Sequence, residues 1–179
     1  MALKSTICKA RINIADMDRE VYGDFNLTIA QHPSETDERM MLRLLAFALN
    51  ADEQLEFGRG ISTDDEPDLW RKSLTGDIEL WIELGTPDPE RLRKACGRAD
   101  AVVLYCYGDR ATPVWWDKHG SALQRFDKLS VYQVEDECAA ALAAMADTGM
   151  DLQCTIESGE AWFNDASNSV HVAARSLKN

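Results

Sequence analysis

Glu66-Pro67-Asp68-Leu69-Trp70 and, just downstream, Ile78-Glu79-Leu80-Trp81-Ile82-Glu83-Leu84-Gly85 are the two runs whose reading decides the fold. In the second, Ile78, Leu80, Ile82 and Leu84 share one face of an extended strand, and Glu79, Trp81 and Glu83 share the other. Thr75-Gly76-Asp77 supplies turn chemistry, so residues 67–74 and 78–84 read as a hairpin, preceded by a strand-like piece over 54–61.

Working outward, Pro33-Ser34-Glu35-Thr36-Asp37 places an N-cap serine before an acid three residues on. Met41, Leu44, Leu45 and Ala48 then follow at helical spacing, which predicts a helix over 34–50. On the other side, Pro87-Asp88-Pro89 opens a second helix with Leu92, Ala95, Cys96 and Ala99 on its apolar side and Arg91, Lys94 and Arg98 on a basic one. The continuous apolar run from Ala101 to Tyr107, closed by Gly108-Asp109, reads as a central strand covered on both faces. Before this block, Cys8, Ala10, Ile12 and Ile14 alternate with polar residues, as do Phe25, Leu27 and Ile29, which predicts an N-terminal β-hairpin. After it, the expected elements are a strand around Val114-Trp115-Trp116, a short helix over 121–126, a strand over 129–134, a helix over 135–146, and strands over 152–156 and 170–174. With no repeat or linker, the chain reads as one domain over 1–179.

Composition narrows the function classes. The 179 residues are 45% hydrophobic and 28% charged, enough for a true core. The start of the chain does not read as a signal peptide and no window approaches the length of a membrane span, so a cytoplasmic protein with no membrane association is expected. Five cysteines without a C-x-x-C pair read as reduced, buried thiols. The net charge of −12 disfavours clamping a long nucleic-acid duplex and leaves a short oligonucleotide or a protein partner as the better-matched ligands. His32, His119 and His171 are scattered, with no second ligand at zinc spacing, and no Ser-His-Asp, Cys-His or glycine-rich phosphate signature is present. The carboxylates are the remaining candidates for chemistry.

The strings His32-Pro33-Ser34-Glu35-Thr36, Leu42-Arg43-Leu44-Leu45-Ala46-Phe47, Thr63 through Trp70, Trp81-Ile82-Glu83-Leu84-Gly85 and Arg91 through Tyr107 resemble the YaeQ family over essentially the whole chain. The order helix, three strands, helix, strand across 34–107 is similar to the αβββαβ core of PD-(D/E)XK nucleases. The resemblance implies an α/β fold with a mixed central sheet and a restriction-endonuclease-like core, preceded by the hairpin and followed by additional helices and strands.

It also implies a site. Asp68 takes the place of the first strand carboxylate, Glu83 of the second, and Glu35 or Glu38 of the helix carboxylate. Together these would hold Mg²⁺, or Mn²⁺, for a phosphodiesterase or nuclease reaction. Where the motif carries lysine two residues after the acid, this chain has Gly85; Lys94 is the candidate for a relocated cation, ahead of Lys72 and Arg71. The alternative is a catalytically inactive nuclease fold serving as a protein-binding or regulatory module. Glu83 shares its strand face with Trp81, and a buried charge there needs a partner, either a metal or an arginine. The Arg91, Lys94 and Arg98 face reads either as an ordinary solvated helix surface or as a phosphate clamp.

Overall fold

The computed structural model describes residues 4–59 and 65–179, in which eleven strands and four helices form two sheets. The N-terminal hairpin is β1 (Thr6–Asp16) and β2 (Val21–Gln31), paired from Thr6↔Gln31 to Asp16↔Val21. Along β1 the alternation is clean: Cys8, Ala10, Ile12 and Ile14 are buried while Lys9, Arg11 and Asn13 are exposed.

The next stretch runs α1 (Asp37–Leu49), β3 (Leu55–Phe57), β4 (Leu69–Lys72), β5 (Ile78–Leu84), α2 (Pro89–Arg98) and β6 (Ala99–Tyr107). The remainder is α3 (Ala111–Leu123), β7 (Leu129–Val134), α4 (Asp136–Ala143), β8 (Gly149–Glu157), β9 (Glu160–Asn164), β10 (Ser169–Ala173) and β11 (Arg175–Lys178). One sheet has the order β10-β9-β8-β1-β2, the other β11-β7-β6-β5-β4-β3. Instead of one central sheet with a hairpin attached, the hairpin belongs to a sheet of its own, because β8 pairs in parallel with β1 from Lys9↔Gly149 to Asp16↔Ile156.

In the second sheet β5, β6 and β7 are parallel and β3, β4 and β11 antiparallel to their neighbours. Helix α1 lies between the two sheets, and every residue from Met40 to Ala48 is buried, as expected of a helix packed on more than one side. Its core joins the inner faces of β1 and β8 to Leu80, Ile82 and Leu84 of β5. A second core under α2 and α3 takes Trp81, Leu92, Cys96 and the opposite face of β6, Val102, Leu104 and Cys106. The reading of β6 as a strand covered on both faces therefore holds.

Other local expectations are corrected. The first helix starts at Asp37 with Thr36 as its N-cap, accepting from the Arg39 amide, rather than at Ser34. Val114-Trp115-Trp116 is not a strand: the segment is part of α3, and the two tryptophans, both half-buried, do not point to opposite faces of a sheet. The expected short helix over 121–126 is the end of this same α3. β9 and β11 were not anticipated. The strand expected over 54–61 is confined to β3 among the described residues, with 60 and 61 outside them. All five cysteines are free thiols, Cys138 half-buried rather than buried. No described helix is long and apolar enough to cross a membrane.

Candidate functional site: a carboxylate cluster held by arginines

The carboxylates singled out from the sequence gather where β4 enters its pairing with β5. Asp68 directly precedes β4; its amide donates to the Ile82 carbonyl, and the Leu84 amide donates to Asp68 Oδ2 at 2.8 Å. This exchange fixes Asp68 against the strand that carries Glu83. The approach is close: the Gly58 amide donates to the Asp68 carbonyl, and a Cβ at Gly58 would stand 1.9 Å from the Pro67 carbonyl oxygen. Only glycine fits there.

Each acid is buried and each has a guanidinium. Asp68 (7% exposed) receives Arg39 Nη2 on Oδ1 at 2.8 Å. Arg39 also reaches Glu35 Oε2 at 3.2 Å, and Arg43 Nη2 donates to the other oxygen, Glu35 Oε1, at 2.5 Å. Arg43 is itself 2% exposed, donates to the Ala30 carbonyl and lies over the Phe57 ring. On the other side of the sheet Glu83 Oε1 accepts from Trp81 Nε1 and from Arg91 Nε, both at 2.8 Å. Three buried carboxylates are thus matched by three arginines from α1 and α2, as ions removed from water must be.

Electrostatics within the cluster are strained at one point. Burial, and after it the neighbouring Asp68 carboxylate, push the Glu83 pKa above its ordinary value, while Arg91 and the Trp81 indole pull it back. Burial likewise raises the Tyr107 phenol against the Arg39 charge nearby.

Glu35, which directly precedes the helix cap Thr36, is in the cluster; Glu38 is half-buried and lines a separate recess with Gly85 and Tyr107. Lys94 is exposed, on the lip of a cleft of about 750 Å³ above Trp81, and forms no ion pair among the described residues. The cation that reaches Glu83 is Arg91, one turn earlier. Arg91 and Arg98 also donate to the Glu66 and Asp65 carbonyls, so the basic face of α2 clamps the backbone leading into Asp68. Lys72 sits over the Trp70 ring and Arg71 pairs with Glu79. Gly85 has φ +97°, left-handed backbone in which a lysine would be strained.

Arg39 and Arg43 were the part that sequence reasoning missed, whereas an arginine on Glu83 was one of its two alternatives. Their signal was present: Glu35, Arg39 and Arg43 recur every four residues, and Arg43 sits inside an unbroken apolar helix, a position only a paired charge tolerates. As arranged, both oxygens of Glu35 and of Asp68, and Oε1 of Glu83, are engaged by guanidinium, indole and backbone donors. Among the described residues no three His, Cys, Asp or Glu side chains are grouped to hold a metal ion. This geometry does not fit a resident divalent ion.

Fold and site together define an α/β protein of two mixed sheets with an arginine-neutralised carboxylate cluster beside the central helix. The chain belongs to the YaeQ family, whose profile, described as YaeQ protein, matches residues 1–174. It is 49% identical over 172 residues to the YaeQ proteins of Escherichia coli (strain K12) and of Salmonella typhi, covering 96% of this chain and 95% of each relative. The crystal structure of YaeQ from Xanthomonas axonopodis pv. citri superposes with a TM-score of 0.95 at 48% identity, covering 97% of this chain and 98% of that one. That of YaeQ from Pseudomonas syringae does so with a TM-score of 0.94 at 37% identity, covering 98% and 97%.

Proposed function

We propose that this protein is a nuclease-like α/β scaffold that works by binding rather than by metal-dependent phosphodiester hydrolysis. The carrying observation is that guanidinium groups occupy the carboxylates a metal would need, through Arg39 on Asp68 and Glu35 and Arg91 on Glu83. Gly85 supports the reading from a second side, since neither its missing side chain nor its left-handed backbone serves as a motif lysine. In this reading the cluster rigidifies the junction of α1, β4, β5 and α2, and the acidic exterior, at −12 overall, is matched to a protein partner with basic groups.

A second reading keeps the enzyme. Asp68 and Glu83 are like charges close enough to raise the Glu83 pKa, a repulsion that Mg²⁺ or Mn²⁺ would relieve if Arg39 and Arg91 swung aside. Lys94 and Arg98, in the cleft above Trp81, would then meet the phosphates of a short oligonucleotide.

Calorimetric titration with Mg²⁺ and Mn²⁺ in metal-free buffer, wild type against Glu83→Gln, separates the two. The binding scaffold shows no stoichiometric uptake at millimolar metal. Stoichiometric uptake that Glu83→Gln abolishes overturns it and restores the enzyme.

A further inference from the structure

We propose that the cleft at the seam between the two sheets, remote from the arginine-held acids, binds a compact organic cation: an amine, amidine or guanidine on a small apolar body, with Asp16 as counter-ion. The cleft measures about 290 Å³, room for a molecule of single-ring size. It opens where the end of β1 meets the C-terminus of α1 and the faces of β6 and β7.

Asp16 is 1% exposed, and its two oxygens are used unequally. Oδ1 accepts from the backbone amides of Asp18 and Arg19 at 3.1 and 3.0 Å. Oδ2 is shielded from solvent and accepts no hydrogen bond from the described residues. Its nearest cation is Arg19 Nη1 at 3.5 Å, while that guanidinium directs its hydrogen bonds to the carbonyls of Leu49 and Ala51 at the end of α1. A buried carboxylate oxygen left without a donor is rare in folded proteins and calls for one. Asp18, also in the lining, is spent on the Ser158 and Gly159 amides. Two carboxylates against one guanidinium leave this lining net negative.

The remaining walls suit a cation with an apolar body. Tyr105 and Tyr132 stack with ring centroids 5.6 Å apart and both line the cleft, offering π faces that attract positive charge. The Tyr105 hydroxyl accepts from Asn50 Nδ2 at 2.8 Å, which turns Asn50 Oδ1 to accept from a cationic ligand. Leu49, Val103 and Ile156 supply the apolar contact. Because Oδ2 is covered, an incoming ammonium or amidinium reaches it by displacing Arg19 Nη1, which stands 3.5 Å away, while Arg19 Nη2 retains the Ala51 carbonyl. The overall charge of −12 raises the local concentration of such cations and repels anions.

The test is calorimetric titration of the whole chain with benzamidine, with neutral benzamide as the isosteric control. Benzamidine is expected to saturate one site and benzamide to bind about tenfold or more weakly. Val103→Phe, which fills the cleft without touching Asp16, is expected to abolish benzamidine binding while preserving the circular-dichroism spectrum and cooperative unfolding. Asp16→Asn is expected to erase the preference for the charged probe. No benzamidine binding at millimolar concentration, equal binding of benzamide, or undiminished binding by a folded Val103→Phe each overturns the proposal, and the Val103 variant decides the matter even if Asp16→Asn fails to fold.

Discussion

Replacing Arg43 with methionine tests whether the arginines are structural counter-ions of the cluster. Methionine keeps the alkyl stem that packs near Phe57 and removes the guanidinium that donates to Glu35 Oε1 and to the Ala30 carbonyl. Both charged side chains are 3% exposed, so solvent cannot take over the vacated oxygen. Breaking such a buried pair costs about 3–5 kcal/mol. The lower end applies, because Arg39 stays on Glu35 at 3.2 Å. About 3 kcal/mol corresponds to a fall in Tm of roughly 6–12 °C for a chain of this length. Urea unfolding followed by circular dichroism, at unchanged m-value, measures the loss. The double variant Glu35→Leu/Arg43→Met removes both charges and is expected to recover to within about 1–2 kcal/mol of wild type, since replacing a whole buried pair by apolar groups is often neutral. A loss below about 1 kcal/mol for Arg43→Met, or simple additivity in the double variant, would refute the role assigned to these charges.

Three further outcomes follow from the same geometry. Because the Glu83 pKa is raised above its ordinary 4.5 in the folded protein, native Glu83 holds its proton longer than unfolded Glu83; its contribution favours folding below that value and is lost as pH rises through the folded pKa. Glu83→Gln should flatten that part of the stability–pH curve from about pH 4.5 upward, and an unchanged slope in urea titrations would contradict the assigned burial. Gly85→Lys, which puts a lysine two residues after Glu83, should cost about 1–2 kcal/mol for a side chain at φ +97°, with Gly85→Ala costing the same; a stable, metal-binding Gly85→Lys protein would revive the enzyme reading. Gly58→Ala places a methyl 1.9 Å from the Pro67 carbonyl and should cost at least about 1–3 kcal/mol by thermal unfolding, since only backbone can move to relieve it.

Legibility in the sequence followed the strength of each local pattern. Period-two alternation in β1 and β5 and the unbroken apolar run of β6 located those strands and their faces, because burial on one or both faces leaves few other solutions. The stretch around Trp115 misled because three bulky apolar residues in a row suit a strand. Pro113 in the first turn of α3, and the succession Trp116, Gly120, Leu123 at helical spacing, argued for a helix; Gly120 admits the Trp116 ring where a Cβ would stand 2.8 Å from it. β11 has four residues at a sheet edge and carries almost no pattern. Asp68, Glu83 and Glu35 were named through the resemblance, with Glu38 as the alternative to Glu35; Asp68 and Glu35 share Arg39, and Glu83 lies near enough to Asp68 to feel its charge. Glu35, just ahead of the helix cap, is buried by Arg39 and Arg43 reaching back from the helix, a tertiary consequence that spacing alone does not disclose.

The parallel pairing of β1 with β8 also sets the order in which this protein can be made. The β1–β2 hairpin is complete once the first thirty-odd residues exist, yet the other edge of β1 finds its partner only in the last third of the chain, and Asp18 bonds to the Gly159 amide across 141 residues. During synthesis that edge stays open, its backbone groups unpaired, while the α1-to-β7 portion emerges. Such long-range closure slows folding, because the entropy of bringing distant segments together precedes the contacts that reward it. A chain cut before Gly149 loses β11 from the second sheet together with β8, β9 and β10 from the first, and so presents the unpaired β1 edge, a template for association with other chains. Refolding should therefore be slow and concentration-sensitive in a way that equilibrium stability would not reveal.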